Sequence, residues 1–468
     1  MRAYVFVTAA VLGPVSLTSL AAEERATQAQ PAMAPPSALK VLSLQDALQT
    51  AKEHQPQLLL ARAQTMAARA RADQARAPIL PQLTGTASYQ RTTANFVARP
   101  GAVPSQFASS ATAISLDTFN FFSFGMQLSQ YIWDFGQTTR RWQAASASAD
   151  AQHASEQVTA LQIATTVQNA YFAARAQRAL LQVARDNLAN QDRHLVQVTA
   201  FVSVGTRPEI DLAQARTDRA NASVQVIASE NSYEIAKAQL RAAMGVEDSV
   251  DFDVQDEQLP PVPGEEQPTE ELLPTALAER PEFLVLSRQL AAQKLLLSAA
   301  KGGYGPSLGA TMSLTDAGTN ISQLALNLSA SVNLSWPIFQ GLLTLSQVKE
   351  QSANLTALDA QLLSLRQQVR VELSSARLQV RASKATCVAV QQAQQSAGER
   401  LRLAEARYRT GVGSMIELGD AQLAFTTASA QLVQAEYALA SARAQLLRAL
   451  GQPLGQPLGQ PLSQPIRP

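Results

Sequence analysis

At 468 residues the chain is longer than one hydrophobic core usually serves, so it must divide into domains or run as an elongated, repetitive body. Its 38 basic and 37 acidic residues leave a formal net charge of +1, which excludes the strong field of a nucleic-acid-binding surface. A single cysteine, Cys387, excludes an internal disulfide.

The chain opens "MRAYVFVTAAVLGPVSLTSLAAEER", a basic start, a short apolar run and small residues before a charged step. This reads as a secretory signal over residues 1–22, cut near Ala21 or Ala22, followed by a flexible segment over 23–42. Beyond it no run of about 20 apolar residues could cross a bilayer as a helix. If the exported protein enters a membrane, strands must carry it there.

Ser43 with Asp46 forms a capping-box pattern that predicts a helix over 44–76. Two alternating segments follow, at 79–91 and 120–132. In the first, Leu83, Ala87 and Tyr89 oppose Gln82, Thr84, Thr86, Ser88 and Gln90; in the second, Phe122, Phe124, Met126, Leu128 and Ile132 oppose Ser123, Gly125, Gln127 and Ser129. Period two is the strand signature. A helix over 137–203, free of internal proline and glycine, then a turn at 204–207 and a helix over 208–245, complete a first unit spanning 43–247.

Residues 248–273, proline-punctuated and without Lys or Arg, predict a solvated acidic linker. Past it the unit repeats over 274–451: a helix, strands over 304–315 and 322–336, a long helix over 342–410, a turn at 411–413 and a helix over 414–450. "QPQLLLARAQ" at Pro56 matches "RPEFLVLSRQ" at Pro281, 225 residues on, and "VGTRPEIDLAQA" at Gly205 matches "TGVGSMIELGDA" at Gly411, 206 on. The first copy therefore carries 19 extra residues, in the loop between its strands. The terminal "GQPLGQPLGQPLSQP" over 452–468 reads as a flexible low-complexity tail.

Each long helix would reach on the order of 100 Å, which suits a coiled coil or helical tube. The two shorter helices of a copy nearly sum to the long one, so stacked end to end they would run beside it. The strands are about 10 to 15 residues long, enough to cross a bilayer when tilted. From Asn320 to Gln347 there is no charged residue, so the polar strand face lacks the Lys and Glu of a solubilised sheet. Tyr89, Phe119, Phe121, Tyr131, Trp133, Tyr304 and Trp336 fall near strand ends, where an interfacial girdle would put them. Four strands cannot close a barrel, so an oligomer is required; two copies would give eight strands and three would give twelve. The fold class is α+β, a duplicated membrane protein with long helical hairpins.

The duplicated order, the strand-to-helix passages "LSQYIWDFGQ" and "LSWPIFQG", and the turns "VGTRPEIDLAQAR" and "YRTGVGSMIELGDAQ" resemble the outer-membrane efflux proteins of the TolC type. The resemblance implies a homotrimer with a 12-stranded barrel in outer-membrane lipid and a helical tunnel in the periplasm of a Gram-negative bacterium. It also implies a periplasmic adaptor and an inner-membrane pump of the resistance-nodulation-division or ABC type. Such ducts perform no chemistry and hold no cofactor, so no catalytic or metal residue and no nucleic-acid partner is expected.

Carried over by position, the resemblance places an adaptor-docking tip at Val204, Gly205 and Thr206 and at Gly411, Val412 and Gly413. It places a gate at Glu417 and Asp420, with Asp211 and Tyr408 as partners. Where relatives often have an arginine after the second turn this chain has Gly413, with Arg409 one turn earlier as the substitute. His54, His153 and His194 read as helix-surface residues, and no phosphate loop, nucleophile elbow or metal-spaced cluster accompanies them. The competing architecture is a soluble periplasmic coiled-coil or adaptor protein.

Overall fold

The computed structural model describes residues 40–93, 118–247, 251–257 and 259–452. The expected signal peptide, most of the segment that follows it, the long loop of the first copy and the C-terminal tail lie outside the described residues.

The first copy comprises β1 (Lys40–Leu42), α1 (Leu44–His54), α2 (Pro56–Arg76), a short 3-10 turn (Ala77–Ile79), β2 (Gln82–Thr93), β3 (Thr118–Trp133), α3 (Gln137–Ser203) and α4 (Glu209–Met244). After β4 (Phe252–Val254) the second comprises α5 (Thr269–Glu279), α6 (Pro281–Gly302), β5 (Ser307–Gly318), β6 (Ala325–Ser335), α7 (Leu343–Arg409) and α8 (Met415–Leu450). Both long helices contain 67 residues.

The helix expected over 44–76 is two helices. Proline restricts the residue before it to extended backbone and lacks the N–H that an unbroken helix would use. Gln55 accordingly sits at φ −66°, ψ 117°, and Pro56 opens α2. The second copy breaks in the same way at Arg280 and Pro281.

These breaks receive the ends of the other helices. Gly245 closes α4 at φ +74°, and a Cβ there would lie 2.7 Å from Gln55 Cα. The Gln55 side-chain amide donates to the Ala243 carbonyl at 2.8 Å. Gly451 closes α8 at φ +79°, 2.9 Å by the same measure from Arg280 Cα. Each copy thus aligns a split pair of helices beside one long helix. Thr65 Oγ1 donates to Glu156 of α3 at 2.9 Å, and farther along α3 Arg185 pairs with Glu230 of α4 at 2.8 Å. Much of the seam is alanine, with Ala144, Ala149, Ala151 and Ala154 buried on α3, so helix axes can approach closely.

The acidic linker is not simply solvated. Phe252, Val254 and Leu259 are buried with Leu42, Tyr171 and Phe172, and Val262 is buried with Val369, Leu373 and Leu446. β4 pairs with β1, which fixes the last residues of the segment expected to be flexible. The carboxylates answer cations on the helices. Asp253 reaches Arg178 at 2.7 Å, Asp251 reaches Lys237 at 3.0 Å, and Glu265 reaches Arg443 at 3.0 Å. A linker without bases strapped across helices that carry them gains ion pairs in place of self-repulsion.

The four long strands form one antiparallel sheet in the order β2-β3-β5-β6. Register puts Leu83 beside Leu128, Tyr89 beside Phe122, Met126 beside Leu314 and Leu314 beside Leu328. Residues in register share a face, so the apolar sets of all four strands gather on one side. The other side carries Gln127 beside Ser313, and hydroxyls bonded across strands at 2.7 Å, Thr311 to Ser331 and Ser313 to Ser329. A bulge between Tyr131 and Trp133 ends the β3–β5 register beside the helices.

Candidate functional site

Two places concentrate unsatisfied surface. The first is the apolar sheet face, where Leu326, Leu328, Val332 and Leu334 are all at least 60% exposed. Tyr131, Trp133, Tyr304 and Trp336 are exposed at its helix-side end, where Trp336 Nε1 donates to the Tyr304 carbonyl at 3.1 Å. Tyr89 is exposed near the opposite end and donates to Asn120 at 3.0 Å. β2 and β6 have no strand beyond them among the described residues. Each presents a row of unpaired backbone groups.

The second is the pair of turns that end α3 and α7. At the first, Gly205 takes φ +75°, and Thr206 N–H bonds back to Phe201 O at 3.0 Å. At the second, Gly411 takes φ +80°, and Val412 N–H bonds to Arg407 O at 3.1 Å. Both are left-handed glycine closures of a helix C-terminus. Ser414 then caps α8, its hydroxyl accepting from Glu417 N–H at 3.1 Å. The closures push Val204 and Val412 outward, and both are more than 70% exposed.

The turns touch. Arg207 donates to the Gly413 carbonyl at 3.1 Å, and its guanidinium lies 4.7 Å from the centre of the Tyr408 ring. Tyr408 is 1% exposed and sits in a cluster with Val198, Ala215, Leu401, Leu418 and Ala421, so all four tip helices share one small core. Burial and then the Asp211 carboxylate push the Tyr408 phenol above its ordinary pKa, while Arg207 pulls the other way. Its hydroxyl has no hydrogen-bond partner among the described residues.

Of the expected gate residues, Tyr408 and Asp211 lie close enough to interact, and Glu417 pairs with Arg407 at 3.3 Å. Asp420, one turn along α8, is exposed and makes no ion pair among the described residues. Arg409 is exposed and donates only along its own helix, to Glu405 O at 3.4 Å.

Gly413 is buried, and a Cβ there would lie 3.0 Å from Tyr408 N, so the second turn is drawn tightly onto α7. The arginine that relatives often carry after the second turn is absent here, and Arg207 occupies the matching place in the first copy. The 206-residue offset between copies relates the two positions and could have pointed to Arg207.

His194, expected on a helix surface, is buried. It is 5% exposed, with Nε2 3.1 Å from Met415 Sδ and its ring edge-on to Tyr408 at 5.2 Å. A pattern of small and polar residues on every face of α3 conceals which face meets the second hairpin.

Comparison with known proteins fits this geometry. The profile of the outer membrane efflux protein family matches residues 47–246 and again 272–452. Over 337 residues the chain is 25% identical to the outer membrane efflux protein BepC of Brucella suis, covering 70% of this chain and 72% of BepC. Over 437 residues it is 26% identical to the outer membrane protein TolC of Escherichia coli, covering 87% of this chain and 82% of TolC. Among solved structures, a membrane protein from Pseudomonas aeruginosa aligns with a TM-score of 0.75 at 19% identity, over 88% of this chain and 91% of that one. The Campylobacter jejuni CmeC outer membrane channel aligns with a TM-score of 0.74 at 19% identity, over 87% and 85%.

Proposed function

Because the chain belongs to the outer membrane efflux protein family, we propose that three copies assemble into the exit duct of a tripartite export system. The protein is an outer-membrane efflux protein and not an enzyme; the trimer, the gate and the partners are our reading.

One observation carries it: a four-stranded sheet with one apolar, exposed face, one hydroxyl-lined face and two open edges. An unsatisfied strand edge in hydrocarbon costs several kcal/mol for each backbone group, so no single copy is stable in a bilayer. Joining β6 of one copy to β2 of the next removes every edge when the ring closes. Three copies give twelve strands, with Leu326, Leu328 and Leu334 toward lipid and Thr311, Ser313, Ser329 and Ser331 toward a wet lumen. The aromatic residues at both ends suit the two interfaces. The soluble coiled-coil alternative leaves the exposed leucines without a cover.

The paired turns form the periplasmic tip. Val204, Gly205 and Thr206 with Gly411, Val412 and Gly413 offer a periplasmic adaptor exposed valines on short rigid reversals, and an inner-membrane pump supplies the energy. Glu417 and Asp420, repeated by threefold symmetry, would line the constriction and favour cations over anions. Asp211, Tyr408 and Arg409 serve the closed state. The cargo is a small toxic compound or a secreted protein, chosen chiefly by the pump.

Mass measurement of the detergent-extracted protein tests the assembly: three copies are expected, and a monomer released without detergent would overturn it. Deleting the gene and comparing susceptibility to dyes, detergents and antibiotics with secretion of exported proteins separates the two cargo classes.

A further inference from the structure

The two hairpins meet at the tip through a seam of buried polar groups. On the α3 side stand His194 and Gln191; on the α7 and α8 side stand Tyr408, Met415 and Gln422. Gln191 Nε2 donates to Gln422 Oε1 at 3.0 Å, and both residues are more than nine-tenths buried. Gln191 Oε1 and the Tyr408 hydroxyl have no hydrogen-bond partner among the described residues. His194 Nε2 faces a thioether sulfur, a weak acceptor that offers no compensation to a charged ring. Buried polar groups with this incomplete satisfaction hold two surfaces together only weakly.

We propose that His194, buried against Met415 and set among Tyr408 and the Gln191–Gln422 pair, is a proton-sensitive latch that joins the two hairpins at the tip and releases them on acidification. The proposal rests on the gated-duct reading above. It assigns the task to His194, which the expected acidic gate does not include.

The surroundings fix the sign. Burial lowers the pKa of His194, while Asp218 and Asp211 of α4 pull it up more weakly. α7 contributes the neutral Tyr408 and also Arg407, already paired with Glu417 of α8. The first turn contributes Arg207, engaged by the Tyr408 ring and Gly413 O. From α8 come the uncharged Met415 and Gln422 and, beyond them, Asp420. On its own helix Asp192 pairs with Arg219 of α4.

The joined seam therefore binds a proton less readily than a parted seam in which the ring meets water. The joined state has its full stability above the ordinary histidine pKa of 6.5 and loses it as the pH falls below that value.

The test is single-channel recording of the purified full-length trimer in planar bilayers between pH 7.5 and 5.5, with the tip side acidified. Open probability of the wild type should rise by about threefold or more, a modest population shift. His194→Gln keeps a polar side chain that cannot be charged and should abolish the rise. Met415→Leu leaves His194 in place and should retain it. Both variants are first checked for trimer assembly on unheated gels. A wild type that ignores pH, or a His194→Gln trimer that responds as strongly as wild type, would overturn the latch. If the wild type itself forms no channel, the duct reading fails and the latch fails with it.

Discussion

The guanidinium of Arg207 bonds to the carbonyl of Gly413, 3.1 Å away, so equivalent positions of the two internal copies are tied to one another at the tip. The same group covers the Tyr408 ring. One side chain thus clamps both turns and the core beneath them.

Replacing Arg207 with Ala should weaken the closed tip by about 1–3 kcal/mol, from the lost cation–π contact and the lost charged hydrogen bond. Bilayer recordings should show a higher resting conductance. Arg207→Lys should recover only part of the loss, because an ammonium lacks the planar fork. Unchanged conductance in Arg207→Ala would remove the clamp from the gate.

Gly245→Ala should destabilise the protein far more than Gly205→Ala. Both positions have left-handed backbone, which costs a side chain about 1–2 kcal/mol. Only Gly245 would also drive its Cβ into Gln55, whereas Gly205 faces open space. Thermal denaturation of the two purified variants compares them, and equal melting temperatures would contradict the stacked-helix junction.

A lysine at Leu328 should block assembly in the outer membrane, since a cation on the lipid face near the bilayer centre costs about 2–4 kcal/mol for each copy. A lysine at the adjacent Ser329 points to the opposite side and should be tolerated while lowering cation conductance. Fractionation followed by conductance measurement reads both, and the reverse pattern would invert the assignment of faces.

Asp420→Ala should reduce the cation preference of the channel without loss of stability, because Asp420 is exposed and unpaired among the described residues. Glu417→Ala should reduce selectivity and also cost about 1 kcal/mol, since Glu417 holds Arg407 and belongs to the first turn of α8. Reversal potentials in asymmetric salt measure the first effect and thermal melts the second. Unchanged selectivity in the double variant would take both residues out of the constriction.

Much of the fold was legible because it rests on local periodicity. Leu324 to Trp336 alternates on one strand, and the face it implies is the one that register assembles from four strands. Tyr408 and Asp211, expected together from position, lie close enough to interact, and their part in a gate remains the proposal made above. Arg207, His194 and the linker acids were not legible, because their partners stand on other elements, from 14 residues away for Asp251 and Lys237 to 221 for His194 and Met415. Asp256, for example, reads as one more charge in an acidic run until Arg175 is seen 2.6 Å from it.

The sequence by itself determined the duplication, the strand faces, the length of the two long helices and the glycine reversals, since each follows from spacing or from the dihedral limits of single residues. Only the tertiary structure decided which helix faces meet. On α3 and α8 alanine, glutamine and serine recur around the whole circumference, so no apolar stripe marks the seam. Burial of His194 beside Met415 is settled by the approach of two hairpins that share no local signal.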